Sequence, residues 1–255
     1  MWYDVDRIKY KFLHFDFKSK GVIFIETVQT IPKEIANLFQ TKGTVLKVEK
    51  GTHIFQEGER AEHIFLIKSG SVQISKETES GKELTIRICG KNCLIGESLM
   101  FCKFMSHSGT AKALETSEIY SIHNDLLESF IEDQPTLMMD YLKWIQTENI
   151  KNQSRLRDLV LHGKKGALYS TLIRLANTYG EFRSDNEVYI SMTLTNTELA
   201  NLCATSREMV NRMLSDLRKN NIITLEKGYI TIHDLTHLRN EINCENCPLA
   251  ICRID

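Results

Sequence analysis

From about residue 44 to 122, apolar and polar residues alternate with a period of two. The stretches "GTVLKVEKGTHIF", "AEHIFLIKSGSVQIS" and "KELTIRI" show it best. Gly51, Gly58, Gly70, Gly81, Gly90 and Gly96 punctuate the run at turn positions. Many short strands between glycine-bearing turns predict an antiparallel sandwich or roll. After Pro135 the period lengthens. In "TLMMDYLKWIQTENIKNQSRLRDLVLHG", Met138, Leu142, Ile145, Asn149, Asn152, Leu156 and Leu159 step by alternating fours and threes. That is a heptad seam with polar residues at its centre, which predicts a long dimer helix. Gly163 and Gly166 interrupt it, and "ALYSTLIRLANTYG" predicts a second amphipathic helix ending at Gly180.

The stretch "LTNTELANLCATSREMVNRMLSDLRKNNIIT" predicts two helices with a tight break at Ala204 and Thr205. Thr195 or Thr197 caps the first helix and Ser206 the second. Leu199 and Leu202 give the first an apolar face, and Val210, Met213, Leu214 and Leu217 give one to the second. This is the pattern of a DNA-binding helix-turn-helix. The polar positions Arg207, Glu208, Asn211 and Arg212 stand at the N-terminal end of the second helix, where base edges are read. "IITLEKGYITIHD" predicts a hairpin turning at Lys227 and Gly228, a wing beside the helices.

Charge refines this picture. The chain has 255 residues and a formal net charge of −1, so any nucleic-acid surface must be local. The winged segment itself is balanced. The basic stretch is residues 143–174, with Lys143, Lys151, Arg155, Arg157, Lys164, Lys165 and Arg174 against Glu148 and Asp158. It is expected to lie near phosphates. No apolar run approaches the length of about 18 residues that a membrane span needs, and the N-terminus lacks the apolar core of a signal peptide. A cytosolic location is expected. There is no catalytic dyad, phosphate loop or nicotinamide fingerprint, so no enzyme activity is expected.

Seven cysteines are present. Cys89, Cys93, Cys102 and Cys203 are scattered and read as small buried apolar residues. Cys244, Cys247 and Cys252 fall within nine residues, "CENCPLAIC". In a cytosolic chain such clustered thiols bind metal or sense redox state. A structural zinc with His162, His233 or His237 and a Cys-x-x-Cys redox pair are both open readings. An iron–sulfur electron carrier is the competing class.

On these residues the chain resembles the cyclic AMP receptor/Fnr family of bacterial transcription regulators, over roughly residues 36–243. The resemblance rests on the glycine-punctuated roll, "LIGESLMF", the long helix and "TSREMVNRMLSDLRKNNII". It implies an α+β fold of five parts. These are an N-terminal extension (1–35), a cyclic-nucleotide-binding-like β-roll (36–134) and a dimerisation helix with hinge (135–163). A winged helix-turn-helix (164–240) and a cluster-binding tail (241–255) complete it. It further implies a homodimer on double-stranded DNA, with RNA polymerase as protein partner. Glu208 and Arg212, with Arg207 before them, match the family's readers of a TGTGA-like half-site repeated as a palindrome. Cyclic-nucleotide binders of the family keep a Gly-Glu pair and then Arg-Ser-Ala. Gly96 and Glu97 are present, but "SHSGTAKAL" holds no arginine, so no cyclic nucleotide is expected. The Cys-x2-Cys-x4-Cys spacing resembles that of Bacillus-type Fnr regulators. This implies a [4Fe–4S] cluster on Cys244, Cys247 and Cys252, with Asp158 as fourth ligand, His162 as its rival, and Glu241 and Glu245 as weaker candidates. The implied function is oxygen-responsive control of anaerobic respiratory genes.

Overall fold

The computed structural model describes residues 31–97 and 106–255. Most of the N-terminal extension, Cys102 and the second half of "LIGESLMF" lie outside the described residues. The architecture is mixed α and β: a β domain, a long helix and a C-terminal helix-turn-helix domain.

Helix α1 (Lys33–Lys42) leads into eight strands: β1 (Thr44–Val48), β2 (His53–Phe55), β3 (His63–Ser69), β4 (Val72–Glu77), β5 (Glu83–Cys89), β6 (Leu94–Ile95), β7 (Thr110–Ala113) and β8 (Ser117–His123). They form two four-stranded sheets, ordered β1-β8-β3-β6 and β2-β7-β4-β5. Strand β3 shows why "HIFLI" is apolar without interruption. Phe65 and Ile67 join the core formed with Phe55, Val72, Cys89 and Ile119. Ile64 and Leu66 face the other way, onto Phe39, Leu127 and Tyr141 of the surrounding helices. The period-two expectation therefore fails along β3, because a strand buried on both faces loses its alternation.

Helix α2 (Asn124–Glu132) follows, and then α3 (Pro135–Leu161), with proline in its first turn. Leu142, Ile145, Asn149, Asn152 and Leu156 of the seam are exposed on the single chain, whereas Met138 and Leu159 pack on its own domains. His162 and Gly163, whose φ is +60°, turn the chain from α3 into α4 (Gly163–Tyr179). Two expectations fail here. Gly166 lies inside α4 rather than interrupting the chain, and α4 is not amphipathic: residues 166–177 are buried on every side. A helix enclosed all round belongs to a domain centre. It packs on α3 and on α7 (Leu235–Glu241).

The winged domain adds β9 (Gly180–Phe182), β10 (Val188–Ile190), α5 (Asn196–Leu202), α6 (Arg207–Lys219), β11 (Ile223–Glu226) and β12 (Tyr229–Ile232). Its sheet runs β11-β12-β10-β9. Thr195 caps α5 in a complete capping box with Glu198, and Ser206 caps α6 through the Met209 amide. Ala204 takes a positive φ in the break between them. Lys227 and Gly228 both have φ above zero, as a two-residue hairpin turn requires. Burial of Val210, Met213, Leu214 and Leu217 fastens α6 to the core, at roughly 1.5–3 kcal/mol each.

Candidate functional site

Two sites take shape. The first is the exposed end of α6. Arg207, Glu208, Asn211 and Arg212 all lie on the solvent face, opposite the buried row. Arg212 rests on the Met209 sulfur at 3.0 Å, and Asn211 accepts a hydrogen bond from Asn196 of α5. The Glu208 carboxyl is held below its usual value by its own backbone amide at the helix start and by the Ser206 hydroxyl.

The basic stretch is corrected. Lys151, Arg155 and Arg174 are buried, not spread over a surface. Lys151 pairs with Glu148 at 2.8 Å, and Glu148 also meets Arg87 of β5 at 3.3 Å. Lys143 pairs with Asp140. Of this stretch, Lys164 and Lys165 remain exposed beside the winged domain, and Lys165 pairs with Glu241.

The buried cations belong to the second site, at the hinge. Left-handed Asn243 and Asn246 turn the chain after α7. The Cys244 amide donates to the Arg239 carbonyl at 2.9 Å, and the Cys252 amide to the Pro248 carbonyl at 3.0 Å. This folding brings Cys244, Cys247 and Cys252 to one small cavity of about 20 Å³, lined also by Arg157, Asp158, His162, Ser170, Arg174 and Glu245. Asp158 and the three thiols are therefore neighbours in space, although the whole winged domain separates them in sequence.

Asp158 is buried, and its carboxylate is fully engaged. One oxygen accepts from Ser170 Oγ and from Arg174 Nη2 at 2.7 Å; the other accepts from Arg157 Nε at 3.1 Å and Nη2 at 2.8 Å. Burial pushes this carboxyl up, but the bonds from Ser170, Arg174 and Arg157 outweigh it and hold it below its usual value. Arg157 also pairs with Glu245 and lines the same cavity as Cys247. Burial raises the Cys252 thiol while Arg174 pulls the other way.

Among the described residues, no three His, Cys, Asp or Glu side chains are gathered closely enough to hold a metal ion as they stand. The donor chemistry nonetheless fits an iron–sulfur cluster: three thiols, a carboxylate, and two guanidinium groups that balance thiolate charge. Asp158 would have to exchange one partner to ligate iron. The rival donors separate. His162 and Glu245 line the cavity. His233 instead contacts Thr224 and Glu187, His237 lies against Tyr169, and Glu241 is paired with Lys165. Cys89, Cys93 and Cys203 are buried, and burial pushes Cys203 up to about 12, which makes it a poor nucleophile.

Sequence reasoning missed Ser170, Arg174, Asn177, Arg253 and Asp255 at this site. A signal existed for Arg174: it sits within the apolar run "ALYSTLIRLA", where a cation needs a buried partner.

In the roll, Glu97 accepts from the Ser108 amide at 2.8 Å, from Ser108 Oγ at 2.7 Å and from His107 Nδ1 at 2.5 Å. His107 in turn stacks on Phe55 with ring centroids 3.8 Å apart.

Models of the cyclic nucleotide-binding domain and of the Crp-like helix-turn-helix domain match residues 45–134 and 166–241. The chain is 47% identical over 226 residues to an anaerobic regulatory protein of Bacillus subtilis (strain 168), covering 88% of this chain and 94% of that protein. It is 28% identical over 189 residues to the CRP-like cAMP-activated global transcriptional regulator of Mycobacterium tuberculosis (strain ATCC 25618 / H37Rv), covering 74% and 84%. The solved structure of FixK2 from Bradyrhizobium japonicum matches with a TM-score of 0.68 at 16% identity, over 78% of this chain and 96% of that one. At that identity the likeness concerns the fold alone.

Proposed function

Because the chain belongs to the Crp/Fnr family of transcription regulators, we propose that it is an oxygen-responsive regulator of anaerobic gene expression whose sensor is the cysteine site at the hinge. Regulators with a Crp-like helix-turn-helix bind DNA and work as dimers. Here the exposed row Leu142, Ile145, Asn149, Asn152 and Leu156 is the face offered to the partner helix. Identity of 47% to an anaerobic regulatory protein supports the anaerobic role.

The observation that carries the sensor reading is the shared cavity: Cys244, Cys247, Cys252 and Asp158 line it together. A [4Fe–4S] cluster held there supplies an oxygen-labile cross-link between tail and hinge. The chain's own residues do the rest. Arg157 and Arg174 hold the carboxylate of Asp158 and face the thiols. Arg174 also joins α4 to α3 through Ser154 at 2.8 Å. A tail fastened at this point keeps α4, and the winged domain built on it, at a set angle to the dimer helix. Two recognition helices then meet two half-sites about one DNA turn apart. Glu208 and Arg212 read a TGTGA-like half-site, Lys164 and Lys165 approach phosphate, and RNA polymerase is the protein partner.

The cyclic nucleotide plays no part in this reading. Glu97, the acidic member of the Gly-Glu pair, is already committed to His107 and Ser108, and residues 106–114 offer no arginine to a phosphate. The test is anaerobic iron and sulfide analysis of the intact chain beside Cys247→Ser. Loss of both elements in the variant is expected; equal contents in the two proteins would overturn the assignment.

A further inference from the structure

The three residues after Cys252 make more interdomain contacts than a passive tail would. Arg253, Ile254 and Asp255 are all buried. Strand β5 is the outer strand of its sheet. Its Ile88 amide donates to the Ile254 carbonyl at 3.3 Å. The Ile254 amide donates to Thr178 Oγ1 of α4 at 3.0 Å, and the Ile254 side chain joins the winged-domain core, where Ile88 of the roll also packs. Arg155 of α3 donates to the main-chain oxygens of Asp255, at 2.5 Å, and of Arg253 and Ile86, each at 3.4 Å. Arg174 reaches the Ile251 and Arg253 carbonyls, and Asn177 the Cys252 carbonyl. Arg253 and Asp255 close a two-bond ion pair, each bond 2.8 Å.

We propose that residues 253–255 are an interdomain latch, docked in a receptor formed by Arg155, Arg174, Thr178 and strand β5, which passes the state of the cysteine site to the roll. The coupling half of this rests on the sensor reading above. Roll, dimer helix and winged domain all meet this segment through buried polar bonds. It covers part of an open strand edge, one of the ways edges are protected. Buried Arg155, whose pKa burial and the neighbouring Arg87 and Arg174 pull down to about 10, depends on these carbonyls as hydrogen-bond acceptors. The linkage is mechanical. Ile254 lies two residues beyond Cys252, a reach of at most about 7 Å. Once Cys252 lies farther than that from the docked position of Ile254, Ile254 must leave β5. In this proposal the segment is docked, as seen here, while the cysteine site is closed, and withdrawn when it opens.

The test compares the full chain with a variant lacking residues 253–255, which keeps every proposed ligand. Ile254→Ser serves if the deletion does not fold. Both are reconstituted anaerobically with iron and sulfide, and three quantities are read: iron content, amide hydrogen exchange of Ile88, and operator affinity. At equal iron content, the deletion should speed Ile88 exchange at least tenfold and weaken operator binding at least tenfold. Air should speed Ile88 exchange in the full chain and leave the deletion variant as it was. Equal Ile88 exchange in the two proteins, or equal operator affinity at equal iron content, overturns the latch while leaving the cluster standing. A full chain that takes up no iron sinks the cluster reading and the coupling with it, and Ile88 exchange alone then decides the docking.

Discussion

Arg174 donates to Asp158 at 2.7 Å, and both side chains are almost fully enclosed. One guanidinium on α4 therefore meets the carboxylate at the end of α3, and the same group holds the carbonyls of Ile251 and Arg253. Hinge, winged domain and tail share a single buried charge pair. Asp158 is thus a structural residue before any metal arrives. Asp158→Ala leaves a buried cation unpaired and should cost about 3–5 kcal/mol in the metal-free chain. Denaturant unfolding in the presence of a chelator measures this. A change below about 1 kcal/mol would show that the pair is open in solution. Loss of a cluster in Asp158→Ala alone consequently does not identify a ligand. Asp158→Cys does so better: four thiolates should hold the cluster with altered absorbance and slower loss in air. His162→Ala should leave the spectrum unchanged, and a lost spectrum there would move the ligand role to His162.

The cysteines divide by position. Serine at Cys244, Cys247 or Cys252 should abolish visible absorbance and operator binding. Serine at Cys89, Cys93, Cys102 or Cys203 should leave the spectrum of the folded protein unchanged. Absorbance and acid-labile sulfide, compared across the seven variants, check the division.

Base readers and phosphate contacts should also separate. Glu208→Ala or Arg212→Ala should relax discrimination at one base pair per half-site, by roughly 1–3 kcal/mol. Lys164→Ala should weaken all operators alike and lower the salt dependence by about one counterion. Titrations against single-base operator variants distinguish the two. A uniform loss for Glu208→Ala would remove it from base readout.

Glu97 gives a pH signature. Burial raises its carboxyl, but the bonds from Ser108 and His107 outweigh this, so its folded pKa lies below the ordinary 4.5. The carboxylate then stabilises the fold fully above the ordinary value, and this is lost as pH falls through the folded pKa. Glu97→Gln should lower stability near neutral pH by about 1–2 kcal/mol, partial exposure having screened the rest. The gap from the parent should begin to narrow near pH 4.5 and close once the pH is below the folded pKa. Urea unfolding at a series of pH values reads both effects. A gap that persists at low pH would assign the loss to packing instead.

Local chemistry was legible and long-range pairing was not. The strand-and-turn run, the Thr195 and Ser206 caps and the Lys227 and Gly228 turn each depend on near neighbours and are found in the fold, although β3 departs from strict alternation. The cysteine spacing marked the tail for the same reason. Arg155 is misread as surface because its acceptors lie as far away in sequence as Arg253 and Asp255, whereas for Arg174 the apolar window around it was the overlooked signal. Charged residues are normally exposed, and nothing in a local window reveals a distant carboxylate or carbonyl that makes burial affordable. The enclosed helix α4 escaped for a related reason: its neighbours α3 and α7 are brought up by the fold.

The sensor claim is tested most directly by one titration. Chain reconstituted without oxygen is assayed for iron, sulfide and zinc, bound to a TGTGA-type palindrome, and then exposed to air while absorbance and operator binding are followed together. The account predicts about four irons and four sulfides per chain, no zinc, and a loss of operator affinity that tracks the bleaching. A colourless protein carrying zinc, or operator binding unchanged after complete bleaching, would contradict it.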